Sequence, residues 1–172
     1  QLFITSFFLI ILAGTGLLML PKATFDGISL LDALFTSTSA VCVTGLIVVD
    51  TGSYFTLFGQ SIILILMQVG GLGIMTFASY FSYFFRGQTS YQNQLMLKDA
   101  TNSDKIGEVF SVLKKILFIT LFVELLGTFF IYFSLSSSEI AHIGDRLFFS
   151  VFHAVSGFCN AGFSTLENSF YE

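Results

Sequence analysis

Two short segments of the sequence carry small residues in a pattern suited to binding a cation through backbone oxygens. Cys42-Val43-Thr44-Gly45 and Cys159-Asn160-Ala161-Gly162 each place a cysteine three residues before a glycine, and a serine lies three residues before each cysteine. Successive carbonyl oxygens of an extended backbone can replace the hydration shell of an ion, and glycine adopts dihedral angles that a side chain forbids. The pattern indicates cation coordination by main-chain carbonyls.

A short helix is predicted before the first segment. Ser29 followed by Asp32 is a capping-box pattern, so a helix should run to about Ala40, and the β-branched residues of Val41–Gly45 predict extended backbone after it. About 11 residues give roughly 16 Å of helix, half of a hydrocarbon core of about 30 Å. Such a break at membrane depth is tolerated only where it lines a water-filled cavity. This favours a re-entrant pore loop, while a short buried helix followed by a core strand remains the alternative on this stretch alone.

The second segment repeats the first at a shift of 117 residues, which strengthens the pore-loop hypothesis. A short amphipathic stretch, Asp145–Ser156, precedes it and predicts a second short helix. Internal repeats are common in membrane transport folds. The shift superposes Leu30 on Leu147, Phe35 on Phe152, Ser39 on Ser156, Cys42 on Cys159, Gly45 on Gly162, Asp50 on Glu167 and Tyr54 on Tyr171.

The composition is that of an integral membrane protein. Of the 172 residues, 54% are hydrophobic and only 10% are charged, whereas a soluble domain carries about 25% charged residues. Mean hydropathy is +0.84. Two cysteines provide neither a disulfide framework nor metal-ligand spacing, and a net charge of −4 argues against nucleic acid as a partner.

Three apolar runs are long enough to span a bilayer. Leu2–Leu20 and Leu57–Phe85 are uncharged, and Val109–Leu135 carries Lys114 and Lys115 near its start and Glu124 within it. The second run contains QVGGLG, which is no phosphate-binding loop because no Lys-Ser/Thr pair follows it. Its glycines could bend the helix for gating or allow close approach of another backbone. These glycines are Gly70, Gly71 and Gly73.

The distribution of charge predicts the orientation in the membrane. Five of the seven basic residues lie in or beside the polar linker 87–108: Arg86, Lys98, Lys105, Lys114 and Lys115. The positive-inside rule therefore makes the linker cytoplasmic in a multi-pass protein of the cell (inner) membrane, with both pore loops facing outside. The outer face would then collect acids that attract cations, although helix capping accounts for two of them, Asp32 and Asp145. The acids are Asp26, Asp32, Asp50, Glu139, Asp145, Glu167 and Glu172.

Several stretches resemble the Trk/Ktr/HKT superfamily of potassium transporters, and in particular membrane subunits of the KtrB and TrkH type. FTSTSAVCVTGLIVVDTGSYFTLFGQ and FHAVSGFCNAGFSTLENSFYE are similar to that family's first two pore-loop regions, and QVGGLGIMTF and LMLKDATN are similar to its post-loop helix and cytoplasmic segment. The resemblance implies an all-α membrane protein of helix–pore loop–helix repeats around one central pore. It also implies K⁺ uptake by cation transport or symport, with the coupling ion left open among Na⁺, H⁺ or none.

The resemblance assigns a K⁺ filter to backbone carbonyls of both loops. K⁺ is then the transported ion, with no other metal and no organic cofactor. A serine at the position of Gly45 accompanies Na⁺ preference in plant relatives, so glycine points to K⁺; cysteine replaces the more familiar threonine or small residue at the start of each strand. The implied filter residues are Cys42, Val43, Thr44 and Gly45, continuing to Leu46, and Cys159, Asn160, Ala161 and Gly162, continuing to Phe163.

The resemblance also implies that the chain is about one and a half of four repeats. Residues 1–86 would form the first repeat, 87–108 a cytoplasmic linker, and 109–172 an incomplete second repeat of helix and pore loop. A fragment is expected, completed by the missing downstream half of the same subunit. Complete subunits would form a homodimer in the lipid bilayer, with a cytoplasmic nucleotide-binding regulatory subunit.

Two polar residues in apolar surroundings have open roles. Glu124 lies within the third run, where an ionised carboxylate is costly; it could face water, pair with a residue of the missing half, or be neutral and hydrogen-bonded. His153 aligns with Thr36, and a packing role is favoured over a proton relay. No catalytic spacing indicates an enzyme. The alternatives are a non-transporting scaffold with packed re-entrant loops, and an intramembrane enzyme that uses Cys42 or Cys159 with His153 as base.

Overall fold

The computed structural model describes residues 2–86, 105–135 and 142–166, and these residues form an all-helical structure. Within them there is no β-strand, and the only β pairing is an isolated antiparallel bridge between Thr24 and Phe55. The predicted all-α class is therefore confirmed. The helices are α1 (Leu2–Leu18), α2 (Leu30–Val41), α3 (Thr51–Tyr54), α4 (Leu57–Arg86), α5 (Lys105–Ser134) and α6 (Ile143–Phe158).

In the part of the chain that the structure describes, two helices are long and apolar enough to cross a membrane, where the sequence predicted three. The candidate spans are Leu57–Ile74 in α4 and Lys114–Ser134 in α5. Helix α1 has 17 residues, or about 26 Å of helix at 1.5 Å per residue. It ends two residues before the predicted Leu20, because Met19 and Leu20 close a turn onto carbonyls of the last helical turn.

Helix α5 begins at Lys105, inside the stretch predicted as a linker. The remainder of that linker, residues 87–104, lies outside the described residues. The same holds for Glu139, Glu167 and Glu172, three of the acids predicted to line the outer face.

The chain divides into two compact units, residues 1–71 with 123–172, and residues 72–122. The second unit contains portions of the two long helices, and in it the Thr76 hydroxyl donates to the carbonyl of Leu72 at 2.7 Å. The first unit contains the hydrophobic core, and it contains both candidate cation-binding segments together with the helices α2 and α6 that precede them.

The core of the first unit forms where α1, α2, α4 and α6 meet. The Ser37 hydroxyl on α2 donates to the carbonyl of Ile11 on α1 at 2.8 Å. A Cβ at Gly14 would lie 2.8 Å from the Leu66 side chain and would also collide with Ser37, so glycine permits this close packing. The largest fully buried side chains are Phe55, Phe152, Phe163, Leu18, Ile63, Met67 and Val41.

A polar turn joins the first candidate segment to α4. Asp50 caps α3 by accepting from the N–H and hydroxyl of Ser53, each at 2.9 Å. The buried Gln60 amide then donates to three carbonyls around this helix, at 3.1 to 3.2 Å. No local pattern in the sequence predicted α3. These hydrogen bonds fix where the chain leaves the first segment.

Candidate functional site

The site consists of two non-helical segments, each of which follows a short helix. We call residues 42–48, after α2, the first loop, and residues 159–165, after α6, the second loop. The predicted start of α2 is confirmed: Ser29 is the N-cap, its hydroxyl accepts from the N–H of Asp32 at 3.1 Å and donates to the Asp32 carboxylate at 2.7 Å. Helix α6 contains the predicted Asp145–Ser156 and extends two residues beyond it at each end.

Helix α2 ends in a hydrogen-bonded turn that includes the start of the first loop. The N–H of Val43 donates to the carbonyl of Ala40 at 3.2 Å, and the N–H of Thr44 donates to that of Ser39 at 2.9 Å. This pair of bonds is the Schellman motif, whose C′ residue is left-handed and is usually glycine, sometimes asparagine. Val43 occupies it here with a φ of 55°. A β-branched residue in that conformation is strained.

The second loop begins with the same turn. The N–H of Asn160 donates to the carbonyl of Gly157 at 3.1 Å, and the N–H of Ala161 donates to that of Ser156 at 2.8 Å. Asn160 takes the left-handed position with a φ of 56°, which asparagine tolerates better than valine. The two loops therefore share a backbone path as well as a sequence pattern.

The prediction that Val41–Gly45 is extended is wrong at its start. Val41 is the last residue of α2, and Cys42 keeps helical dihedral angles (φ −82°, ψ 0°). The last carbonyls of a helix need donors, and the N–H groups of Val43 and Thr44 supply them, which overrides the weak strand preference of β-branched residues. Irregular backbone starts only at Thr44.

Carbonyl oxygens remain available beyond each turn. Within the described residues, no recorded hydrogen bond is donated to a backbone carbonyl of the eight predicted filter residues. Both helix C-termini point their partial negative charge toward these oxygens. Part of each loop is accessible to solvent. Among the eight predicted filter residues, the exposed ones are Cys42, Thr44, Asn160 and Gly162, and the buried ones are Cys159 and Ala161.

The two loops touch each other at their glycines. Gly45 and Gly162 both have positive φ, 76° and 73°. A Cβ on Gly45 would collide with the carbonyl oxygen of Ala161 and lie 3.0 Å from the Cα of Gly162. Beyond the loops, a Cβ on Gly52 would lie 2.8 Å from the carbonyl carbon of Thr165. The predicted residues of both loops are thus brought together in one site.

Helix α4 packs against the end of α2 and against the second loop through two of the glycines singled out in the sequence. A Cβ on Gly70 would collide with the carbonyl oxygen of Val41, and one on Gly71 would lie 2.6 Å from the Sγ of Cys159. The helix is continuous through Gly73, which is partly buried. Gly70 and Gly71 therefore allow close approach, and a role in bending or gating stays a prediction.

This arrangement can be compared with known proteins. A family profile named TrkH and described as a cation transport protein matches residues 2–172. The chain belongs to the TrkH family of cation transport proteins. The resemblance seen in the two loop sequences is thereby confirmed.

Curated relatives in the TrkH family are named as ion uptake proteins. The chain is 42% identical to Ktr system potassium uptake protein B of Bacillus subtilis over 95% of its length, and 38% identical to the protein of the same name in Vibrio alginolyticus over 98%. It is also 38% identical to potassium/sodium uptake protein NtpJ of Enterococcus hirae over 98%. The matched region covers 36–38% of these relatives, so the chain spans a little over a third of their length.

The TrkH family comprises transporters rather than enzymes, which agrees with the sequence-based prediction. The geometry around His153 also differs from what a cysteine nucleophile needs. Its Nδ1 lies 2.9 Å from the Phe149 carbonyl and its Nε2 lies 3.1 Å from the Ser164 hydroxyl, and its ring stacks on Phe149 with centroids 3.9 Å apart. His153 therefore holds the second loop against α6, consistent with the packing role favoured from sequence.

Two further side-chain hydrogen bonds could not be predicted from any local pattern in the sequence. The Ser156 hydroxyl donates to the carbonyl of Phe163 at 2.7 Å, and the Gln68 amide donates to the Glu124 carboxyl at 3.1 Å. These pairs join residues that only the folded structure brings together. Within the described residues, no cluster of three or more His, Cys, Asp or Glu side chains could hold a metal ion.

Proposed function

We propose that this chain supplies two of the carbonyl-lined loops of a K⁺ uptake pathway across the cell membrane. The observation that carries the proposal is that the backbone carbonyls of the eight predicted filter residues accept no hydrogen bond within the described residues, in two loops that repeat the same turn and meet at Gly45 and Gly162. Membership of the TrkH family and the names of the Ktr relatives support K⁺ as the transported ion. The scaffold alternative is not favoured, because the family transports cations.

The proposed filter uses backbone oxygens of the first and second loops. Carbonyl dipoles replace the hydration shell of K⁺, and selectivity depends on their number and field. Each loop follows a helix of 12 or 16 residues, about 18 and 24 Å long at 1.5 Å per residue. Both fall short of a hydrocarbon core of about 30 Å, which supports re-entrant loops that enter the membrane and return.

The rest of the pathway is proposed from the length and charge of the chain. The relatives extend well beyond the matched region, and we propose that further loops of the same form complete the filter. The basic linker 87–108 would face the cytoplasm and the loops the outside. Complete subunits would pair as a homodimer and would bind a cytoplasmic nucleotide-binding regulatory subunit.

The experiment that tests this function replaces Gly45 by serine in the full-length protein. A Cβ there strains the left-handed backbone and meets the second loop, and the hydroxyl adds an oxygen near the carbonyls. We expect Gly45→Ser to weaken discrimination against Na⁺, and Gly45→Asp to abolish uptake. The measurement is Rb⁺ uptake by cells lacking other K⁺ uptake systems, with rising external Na⁺ and at matched expression.

Gly27→Ser is the matched control, because it introduces the same backbone strain away from both loops. Gly27 has a φ of 81°, and a Cβ on it would meet nothing within 4 Å. It should therefore leave the Rb⁺/Na⁺ preference unchanged. Parent-like selectivity and rate in Gly45→Ser would show that the ion pathway runs elsewhere.

A further inference from the structure

Glu124 is a buried acid in the middle of a candidate membrane span. It lies ten residues from each end of the span Lys114–Ser134, of which only 11% is buried. The Glu124 side chain is an exception, with 6% of its surface exposed. An ionised carboxylate at such a depth is strongly unfavourable unless it is paired. The Glu124 carboxyl therefore needs either a partner or a proton.

Within the described residues, Glu124 has one hydrogen-bond partner, the neutral amide of Gln68, and one oxygen of each group has no partner. The Gln68 Nε2 donates to Glu124 Oε2 at 3.1 Å. The other oxygens of the two groups, Gln68 Oε1 and Glu124 Oε1, are both buried without a hydrogen-bond partner in the described part of the chain. Two acceptors therefore remain on side chains that already face each other through one hydrogen bond.

Within the described residues, no basic side chain pairs with Glu124. Arg146 donates to the carbonyls of Tyr132 and Leu135 and lies over the Tyr132 ring, 4.4 Å from its centroid. Lys114 and Lys115 are exposed. A hard metal ion takes about six oxygen ligands, far more than the two that are available. A single proton needs only one donor oxygen and one acceptor oxygen, and these are the two that remain.

We propose that Glu124 binds a proton and forms a two-hydrogen-bond acid–amide pair with Gln68 that positions the second loop. The carboxylic O–H donates to Gln68 Oε1, while Gln68 Nε2 donates to the other carboxyl oxygen. One proton thereby removes the charge and satisfies both buried acceptors. A buried polar group that is left without a hydrogen-bond partner destabilises the fold.

The pair is linked to the second loop through the next helical turn on each helix. Gly71, three residues after Gln68, packs on the side chain of Cys159. Gly127, three residues after Glu124, packs on Ala154 of α6, where an added Cβ would lie 3.3 Å from the alanine Cβ. Loss of the proton would place a charge between these contacts. The role as a positioning pair for K⁺ uptake rests on the proposed function, but the protonation itself does not.

The first test is infrared spectroscopy of the full-length protein in lipid, because it does not depend on transport. At neutral pH we expect the carbonyl stretch of a protonated carboxylic acid, above the amide I band, and its loss in Glu124→Gln. Gln68→Leu should shift that band, since the acid then loses its amide partner. A spectrum unchanged by Glu124→Gln would overturn the proposal, whether or not the protein transports K⁺.

The second test is the pH profile of Rb⁺ uptake in proteoliposomes. Parent uptake should fall several-fold as the medium becomes alkaline, while Glu124→Gln, which keeps both hydrogen bonds as an amide–amide pair, should retain uptake and lose this fall. Glu124→Leu, which strands the Gln68 amide, should lose uptake several-fold at neutral pH. Equal losses in the glutamine and leucine variants would overturn the positioning role.

A thiol control separates the carboxyl from its titratable neighbour. Among the described residues, the Cys159 thiol is the titratable group that interacts electrostatically with Glu124, and α4 contributes only the neutral Gln68 amide. Cys159→Ala keeps the backbone carbonyl of this predicted filter residue. Whatever its rate at neutral pH, uptake normalised to that rate should keep the alkaline fall if Glu124 is its source. Loss of the fall in Cys159→Ala, with the fall retained in Glu124→Gln, would assign it to the thiol and reject the proposal.

Discussion

The first and second loops share a backbone path but differ in the side chains that hold it. In the second loop, the hydroxyl of Ser156 binds the Phe163 carbonyl and His153 contacts Ser164. The corresponding residues before the first loop, Ser39 and Thr36 on α2, have buried hydroxyls without a hydrogen-bond partner in the described residues. Side-chain hydrogen bonds therefore attach the second loop to its own helix, whereas the first loop is attached to α2 only through the backbone bonds of its turn.

Exposure follows the same division. Phe163 and Ser164 are 1% and 3% exposed, whereas their counterparts Leu46 and Ile47 are 60% and 40% exposed. The first loop instead depends on backbone contacts made by glycines, at Gly45 with the second loop and at Gly70 with the end of α2. The same backbone path can thus be stabilised by side chains of its own repeat, as in the second loop, or by contacts with other segments, as in the first.

The largest effect on stability should come from adding a side chain where glycines of α4 contact the end of α2 and the second loop. Gly70→Ala meets the backbone of Val41, which cannot rotate away, whereas Gly71→Ala meets the Cys159 side chain. Overpacking of this kind typically costs about 1–3 kcal/mol, so we expect losses of about 3 kcal/mol for Gly70→Ala and about 1 kcal/mol for Gly71→Ala. Denaturant unfolding of the full-length protein in detergent measures both.

Gly16→Ala is the control for these helix glycines, because a Cβ there would meet nothing within 4 Å. Removing a glycine from a helix interior should stabilise the protein by about 0.5–1 kcal/mol. A larger loss of stability in Gly71→Ala than in Gly70→Ala would contradict this ranking. It would mean that α4 supports the second loop more than it supports the end of α2.

An intermediate effect should separate the two aligned serines. Ser156→Ala removes the donor to the Phe163 carbonyl and leaves that buried oxygen unpaired, which should cost about 2 kcal/mol. Ser39→Ala removes a hydroxyl that has no partner among the described residues, so we expect almost no loss. Unfolding midpoints of the two variants provide the measurement, and equal losses would remove the distinction between the loops.

The smallest effect should come from exchanging the two left-handed residues. Val43→Asn gives the first loop a residue that tolerates this conformation, and we expect it to stabilise the protein by about 1 kcal/mol. Asn160→Val should destabilise it by a similar amount. Opposite signs in thermal unfolding would confirm strain at Val43, and a loss in Val43→Asn would mean that packing of the valine against the core outweighs the strain.

The sequence predicted the features that depend on short-range patterns. The Ser29–Asp32 cap, the long apolar helices and the repeat of the two loops all follow from spacing along the chain, and each is found in the structure. The left-handed Val43 could not be predicted, because valine normally avoids that conformation. Asn160 carried a weak signal for it, since asparagine is the usual substitute for glycine there.

The remaining features depend on contacts between distant parts of the chain. The sequence singled out Glu124 but could not find its partner, because Gln68 lies 56 positions away on another helix. It identified the glycines of α4 without deciding between bending and close approach, a choice that required the positions of Val41 and Cys159. The ion pathway and the sidedness of the loops stay predictions.

The contact between Gly45 and Gly162 also sets an order of events during biosynthesis. Ribosomes add about 5–20 residues per second, so Gly162 follows Gly45 into the membrane after roughly ten seconds. The turn at the end of α2 is local and can close at once, but the segment beyond it must wait for its neighbour. During that interval the newly made first loop is exposed to insertion factors and proteases, and it becomes protected only when the second repeat arrives.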